Sequence, residues 1–308
     1  MSSLLRNRLT KRALRPALNL LDHRIQVQVD RTCGQLRREI ASLRAESDEG
    51  RRLQYALGLL LDGTGRGSRR IPPAHEMNQL VREIADLCGD ETHAERGAVV
   101  AFRTLVALEA LGVGRLAGST SNICGKLATV PLLSPPNGTI LEIGTLYGLF
   151  ATGLTRMMHR AGIEPDLTIV DPLAGSQLQP GTAQHADPTG TPVREDVVRA
   201  NLALCGAGST FEARIRPGFS SDPEVRETVS DREYGVIVVD GDHSEEGVAA
   251  DLEWVERIVA PGGIVVLDDY GDSSWPGVQQ ALDKHLADGS SRLRMLGRAS
   301  TSAYLRAK

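Results

Sequence analysis

No stretch of the 308 residues approaches the ~18 apolar residues of a membrane-spanning helix; the longest apolar run, Tyr55 to Leu61, is short and contains Gly58. An integral membrane segment is therefore not expected. The N-terminus is basic (Arg6, Arg8, Lys11, Arg12, Arg15), but no continuous apolar core follows, as a secretory signal would require. Cysteine is sparse: Cys33, Cys88, Cys124 and Cys205 have no paired spacing, which argues against a zinc site or a disulfide framework and predicts a reducing, cytoplasmic setting. Aromatic residues make up 4% of the chain and are not interleaved with basic ones, and the net charge is −4, so no nucleic-acid surface is expected. The Gly-x-Gly-x-x-Gly fingerprint of dinucleotide binding and a phosphate-cradling Gly-Lys-Ser/Thr are both missing.

What is present is a buried strand running into a glycine turn, Thr139-Ile-Leu-Glu-Ile-Gly-Thr-Leu-Tyr-Gly148. Ile140, Leu141 and Ile143 suit a parallel strand covered on both faces. Gly144 and Gly148 permit a tight turn and close approach to a ligand, and an amphipathic helix follows from Leu149. The pattern Glu142-x-Gly144-x-x-x-Gly148 resembles the first motif of class I S-adenosylmethionine-dependent methyltransferases. That resemblance makes Glu142, Gly144, Tyr147 and Gly148 candidate cofactor-binding residues. About 25 residues on, Leu167-Thr-Ile-Val-Asp171 is a second apolar strand ending in a carboxylate, placed to accept hydrogen bonds from ribose hydroxyls. The competing reading is an Asp that only starts the turn before Pro172.

Residues 1 to about 115 read as a helical region without a chemical motif, serving oligomerisation or covering the active site. Leu18, Leu21, Ile25, Val29, Leu36, Ile40 and Leu43 form an amphipathic stripe that suits coiling against a partner, so a homo-oligomer is expected. Asp48-Glu-Gly50 is read as a break in that helix, and Gly63–Ser68 as a link. From 116 to 308 strand and helix alternate, with strands at Thr139–Ile143, Leu167–Asp171, Thr210–Arg216, Tyr234–Asp240 and Gly263–Asp268, then a pair at Arg292–Arg298 and Ser302–Arg306. This predicts an α/β fold, a doubly wound, Rossmann-like, seven-stranded sheet. The long Pro172–Pro192 loop, with His185 and Asp187, reads as a lid over the ligand edge.

Two strand ends carry the chemistry. The fourth ends Val238-Val-Asp240-Gly-Asp-His243 and the fifth Val266-Leu-Asp268-Asp269-Tyr270. Clustered carboxylates repel one another, and a hard divalent cation such as Mg²⁺ is the simplest compensation; solvated acids in a turn are the alternative. The run Asp240-Gly-Asp-His-Ser-x-Glu-Gly-Val, with Ala-Pro-Gly-Gly-x-x-x-x-Asp-Asp-Tyr after it, resembles the macrocin-type, Mg²⁺-dependent sugar O-methyltransferases. The resemblance covers roughly 116–308. It implies metal ligands Asp240, Asp268 and Asp269, a general base at His243, contact of Asp240 with the cofactor as well, and a small-molecule sugar acceptor. The same skeleton resembles the catechol-type O-methyltransferases, which have Asp-Asn where this chain has Asp-Asp. Gly218-Phe-Ser220-Ser221-Asp222 is similar to a segment of that family whose serine contacts adenine, so Ser220 is a further cofactor candidate. Two rival readings stay open: a phenol-methylating enzyme and a non-catalytic cofactor-binding scaffold. His243 competes with a purely structural role as a cap of the helix beginning near Ser244.

Overall fold

A computed structural model of the chain describes residues 8–61, 72–176, 191–206, 212–287 and 289–308. The chain divides into two units, Met1–Leu57 and Gly58–Lys308. The helical region expected over 1–115 is thus split between them. Within the first unit begins α1 (Arg8–Leu61), a helix that passes through Asp48-Glu-Gly50 without the expected break. One interior glycine costs about 1 kcal/mol relative to alanine, which the good helix formers around it absorb. The link expected at Gly63–Ser68 and the lid residues His185 and Asp187 lie outside the described residues.

The second unit is built on a seven-stranded sheet of order β3-β2-β1-β4-β5-β7-β6. Its strands are β1 (Thr139–Ile143), β2 (Asp166–Asp171), β3 (Arg214–Pro217), β4 (Tyr234–Val239), β5 (Val259–Leu267), β6 (Leu293–Ala299) and β7 (Ser302–Ala307). The first five are parallel and β7 inserts antiparallel between β5 and β6. The doubly wound fold read from the alternating pattern is the one observed. Several strand ends shift by one residue and two starts move further: the third strand starts at Arg214, and the fifth starts at Val259, where the β4–β5 register shifts between Tyr234 and Val236.

Alternation along the central strands feeds two cores. Ile140, Val236, Val238, Ile264 and Val266 face one layer, whereas Leu141, Ile143, Ile237, Val239 and Val265 face the other. The first layer holds α2 (Ala74–Cys88), α3 (Glu91–Leu111), α4 (Thr120–Leu132), α5 (Leu149–Arg160) and α6 (Glu195–Leu202). The second holds α7 (Pro223–Val229), α8 (Glu245–Ile258) and α9 (Pro276–Ala287). Helix α4 is buried from Thr120 to Val130, which leaves its polar residues no solvent and obliges each to find a partner in the protein. Strand order reverses between β1 and β4, and the crevice at the carboxyl ends of strands there is where open parallel sheets bind ligands.

Candidate active site

At that crevice lies a cavity of about 460 Å³, lined among others by Glu142, Gly144, Asp171, Ser220, Asp240 and His243. The glycine turn is shaped by three left-handed residues, Gly144 (φ 84°), Leu146 (φ 56°) and Gly148 (φ 76°). A Cβ on Gly144 would lie 2.1 Å from the carbonyl oxygen of Asp240, so only glycine lets the β1 and β4 ends meet. This geometry turns the N–H groups of Thr145 and Leu146 onto Asp171 Oδ2, at 2.8 and 3.2 Å, while Leu173 N–H donates to Oδ1 at 2.8 Å. Asp171 therefore clasps the turn as well as lining the cavity. Tyr147 and Gly148 shape the turn from behind the cavity wall. The Tyr147 ring packs on Gly114 and its hydroxyl donates to Thr191 O, and Gly148 abuts Val198; neither lines the cavity.

Glu142 is buried at the cavity wall, and its Oε2 has no hydrogen-bond partner. Burial, aided by the charges of Asp240 and Asp171 and opposed by a Thr145 hydrogen bond and Lys126, pushes its carboxyl up to about 8. At the far end Ser220 Oγ donates to Asp251 Oδ2 (3.0 Å), and Arg226 pairs with the same buried carboxylate (3.2 Å). Asp251 carries no motif that sequence reading could use.

The strand-end carboxylates do converge, but with a cation already among them. Lys126 of α4 is buried, its Nζ hydrogen-bonded to Asp268 Oδ2, 3.8 Å from Asp240 Oδ2 and 4.7 Å from the centre of the Phe150 ring. Asp268 Oδ1 accepts from Asn122 Nδ2 and Ser302 Oγ, both at 2.8 Å. Burial alone would raise the Asp268 carboxyl; Lys126 and these hydrogen bonds outweigh it and hold it down at about 2. Asp268, expected as a metal ligand, is thus already satisfied on both oxygens by the protein. The signal missed in the sequence was a lysine, with Asn122 four residues before it, in the otherwise apolar Ile-Cys-Gly-Lys-Leu-Ala-Thr-Val. Periodicity cannot say what a buried lysine pairs with.

Asp240, Asp269 and His243 remain as a cluster whose ligand atoms lie within 4.8 Å of one another. His243 Nε2 is 2.8 Å from Asp269 Oδ2 and 3.7 Å from Asp240 Oδ1, and its ring lies 4.5 Å from that of Trp275. Asp269 is held at φ 56°, a left-handed conformation that aspartate tolerates better than most residues. Burial would lower the His243 pKa, but hydrogen bonds to and charges of Asp240 and Asp269 raise it to about 10. The buried Nδ1 has no partner, so a protonated ring leaves one N–H unsatisfied. The helix cap belongs to other groups: Ser244 Oγ accepts from Gly247 N–H (3.1 Å), and Asp242 Oδ1 from Ser244 N–H (2.7 Å).

Residues 141–270 match the family model described as a methyltransferase domain. No curated protein matches the chain. Among solved structures, the O-methyltransferase NovP is 19% identical with a TM-score of 0.48, covering 76% of this chain and 99% of its own. CalS11, titled a TDP-rhamnose 3'-O-methyltransferase of calicheamicin biosynthesis, is 17% identical with a TM-score of 0.41, covering 77% and 96%. An O-methyltransferase from Bacillus cereus in complex with SAH is 14% identical with a TM-score of 0.42, covering 77% and 93%. At these values the structural likenesses assign no substrate.

Replacing Asp171 by alanine orphans the N–H groups of Thr145, Leu146 and Leu173. Urea unfolding is expected to show a loss of about 1–3 kcal/mol, the cost of unsatisfied buried donors, together with weaker cofactor binding. Unchanged stability would mean that the turn stands without its clasp.

Proposed function

We propose that this chain, whose residues 141–270 match a methyltransferase domain and whose sheet has the class I order, is a methyltransferase that transfers a methyl group from S-adenosylmethionine to a hydroxyl of a sugar, free or on a glycosylated small molecule. The observation that carries the reading is the His243 imidazole, backed by Asp269 and Asp240, beside the cavity at the β1/β4 crevice.

The glycine turn would hold the donor, with Asp171 toward its ribose and Ser220 and Asp251 toward its adenine. Glu142 meets its positive end, because a buried carboxyl with one oxygen unpartnered ionises readily only beside a cation. The sulfonium needs no activation. The acceptor does: an aliphatic hydroxyl holds its proton about as tightly as water, with pKa ~15.7. His243, when neutral, takes that proton, and Asp269 and Asp240, beside its Nε2, stabilise the imidazolium that results. The oxygen then forms the new C–O bond as the C–S bond breaks, leaving the neutral thioether. A non-catalytic scaffold has no use for this arrangement.

The donor set fits a divalent cation at two carboxylates. Asp240 and Asp269 are 32% and 23% exposed, and Mg²⁺ is commonly held by one or two carboxylates with water completing its shell. Asp268 stays with Lys126. A cation held there would acidify a bound hydroxyl and orient a vicinal one.

Two measurements test the reading. Glu142 has a folded pKa near 8 against an ordinary 4.5, so between those values the cofactor-free protein holds it protonated, and its burial costs stability as pH rises through that window. A cationic donor reverses the preference, and its binding at neutral pH is expected to release a proton. Calorimetry in buffers of different ionisation heat should show this in the native protein and not in Glu142→Gln. Equal heats for the native protein in both buffers would put Glu142 away from the donor.

The second uses labelled methyl donor with sugar and phenol acceptors, with and without chelator. Transfer to the sugar is expected to need Mg²⁺ and to climb with pH as His243 loses its proton. His243→Ala is expected to lower turnover by about 10²–10⁴ at unchanged donor affinity. A phenol, with pKa ~10, needs less help from a base. Transfer confined to phenols and indifferent to His243 would replace the sugar reading with a catechol-type one, and full activity in chelator would remove the metal.

A further inference from the structure

Helix α1 carries an apolar stripe that no described residue of its own unit covers. Leu21, Ile25, Val29, Leu36, Ile40 and Leu43 are between 47% and 63% exposed. With Thr32 added, these positions advance by steps of 4, 4, 3, 4, 4 and 3, a repeat of eleven residues. Eleven residues in three turns is 3.67 per turn, so the stripe drifts slowly round the α-helix in the sense that gives a right-handed supercoil. A helix of 54 residues gains most of its stability by burying such a face against something.

We propose that the stripe is covered by α1 of a second copy of this chain, the two helices forming a right-handed coiled coil. The residues beside the stripe repeat with the same period. On one edge stand Asp22, Cys33 and Arg44, and on the other Gln28 and Glu39. Opposite edges meet when the copies run parallel, which sets Glu39 beside Arg44 of the partner subunit. Like edges meet when they run antiparallel, which sets Asp22 beside Arg44 of the partner subunit. Both directions pair unlike charges across the seam, the complementarity that a self-associating helix needs. A membrane surface fits less well. The polar side does carry Arg24, Arg31, Arg37 and Arg38, but an interfacial helix also presents a broad apolar face, whereas this stripe is narrow and has Asp22 and Glu39 on its borders. The weak layer is Thr32, whose hydroxyl donates to Gln28 O within its own helix.

Light scattering on the full-length chain, with and without anionic vesicles, tests this. The native protein is expected to have the mass of two chains and to stay off the vesicles. The double variant Ile25→Asp/Leu36→Asp is expected to have the mass of one chain while binding S-adenosylmethionine as tightly as the native protein. Thr32→Ile fills the weak layer and is expected to lower the concentration at which dimers dissociate, so the proposal is testable even if the acidic variant misfolds. A single-chain native protein, an assembly the acidic variant leaves intact, a Thr32→Ile protein that dissociates more readily, or vesicle binding by the single chain would each overturn it.

Discussion

One buried cation organises the chemistry of this protein. Strands β4 and β5 lie side by side and deliver Asp240, Asp268 and Asp269 to the same edge. Brought there without compensation, those charges would oppose the packing of the strands that carry them. Lys126 enters from α4 and takes Asp268 into a pair closed off by Asn122 and Ser302. Two buried charges are costly to desolvate, and such a pair survives only where hydrogen bonds satisfy what is left over. Here they do on the carboxylate side. The consequence is a division of labour: Asp268 becomes part of the scaffold, and Asp240 and Asp269 remain turned toward His243.

The same constraint links distant parts of the chain. The lysine comes from the helix before the first strand, the carboxylate from the end of β5, and the serine from the start of β7. The antiparallel insertion of β7 beside β5 is what brings Ser302 within reach of Asp268. Position on the sheet also explains the glycine turn, since Gly144 passes against the backbone of Asp240 with no room for a side chain. Glycine turn and carboxylate cluster thus touch through the backbone as well as through charge.

Much of this was legible in the sequence because it follows from short-range pattern. The apolar runs ending in Asp171, Asp240 and Asp268 fixed which residues reach the ligand edge, and the alternation of strand and helix fixed the sheet. Ser244 and the acidic first turn located the start of α8. Three things were not legible. Lys126 sits in an apolar helix where no local rule names its partner 142 residues away. Asp268 and Asp269 are neighbours in sequence, yet one is buried in an ion pair and the other turned toward His243 by a left-handed backbone. Tyr147 belongs to the motif by position, but the turn carries its ring away from the cavity and onto Gly114.

The claim that this edge rests on the Lys126–Asp268 pair is tested most directly by a double-mutant cycle on unfolding free energy. Lys126→Met leaves the buried Asp268 carboxylate without its cation, and Asp268→Leu leaves Lys126 with only the more distant Asp240, 3.8 Å away; each is expected to cost about 3–5 kcal/mol. The double variant removes both charges and should be more stable than the sum of the two losses allows, by a coupling energy on the order of 0.5–3 kcal/mol. Additive losses would contradict the account, for they would mean that the two side chains stabilise the fold independently and that the carboxylate edge does not depend on the buried cation.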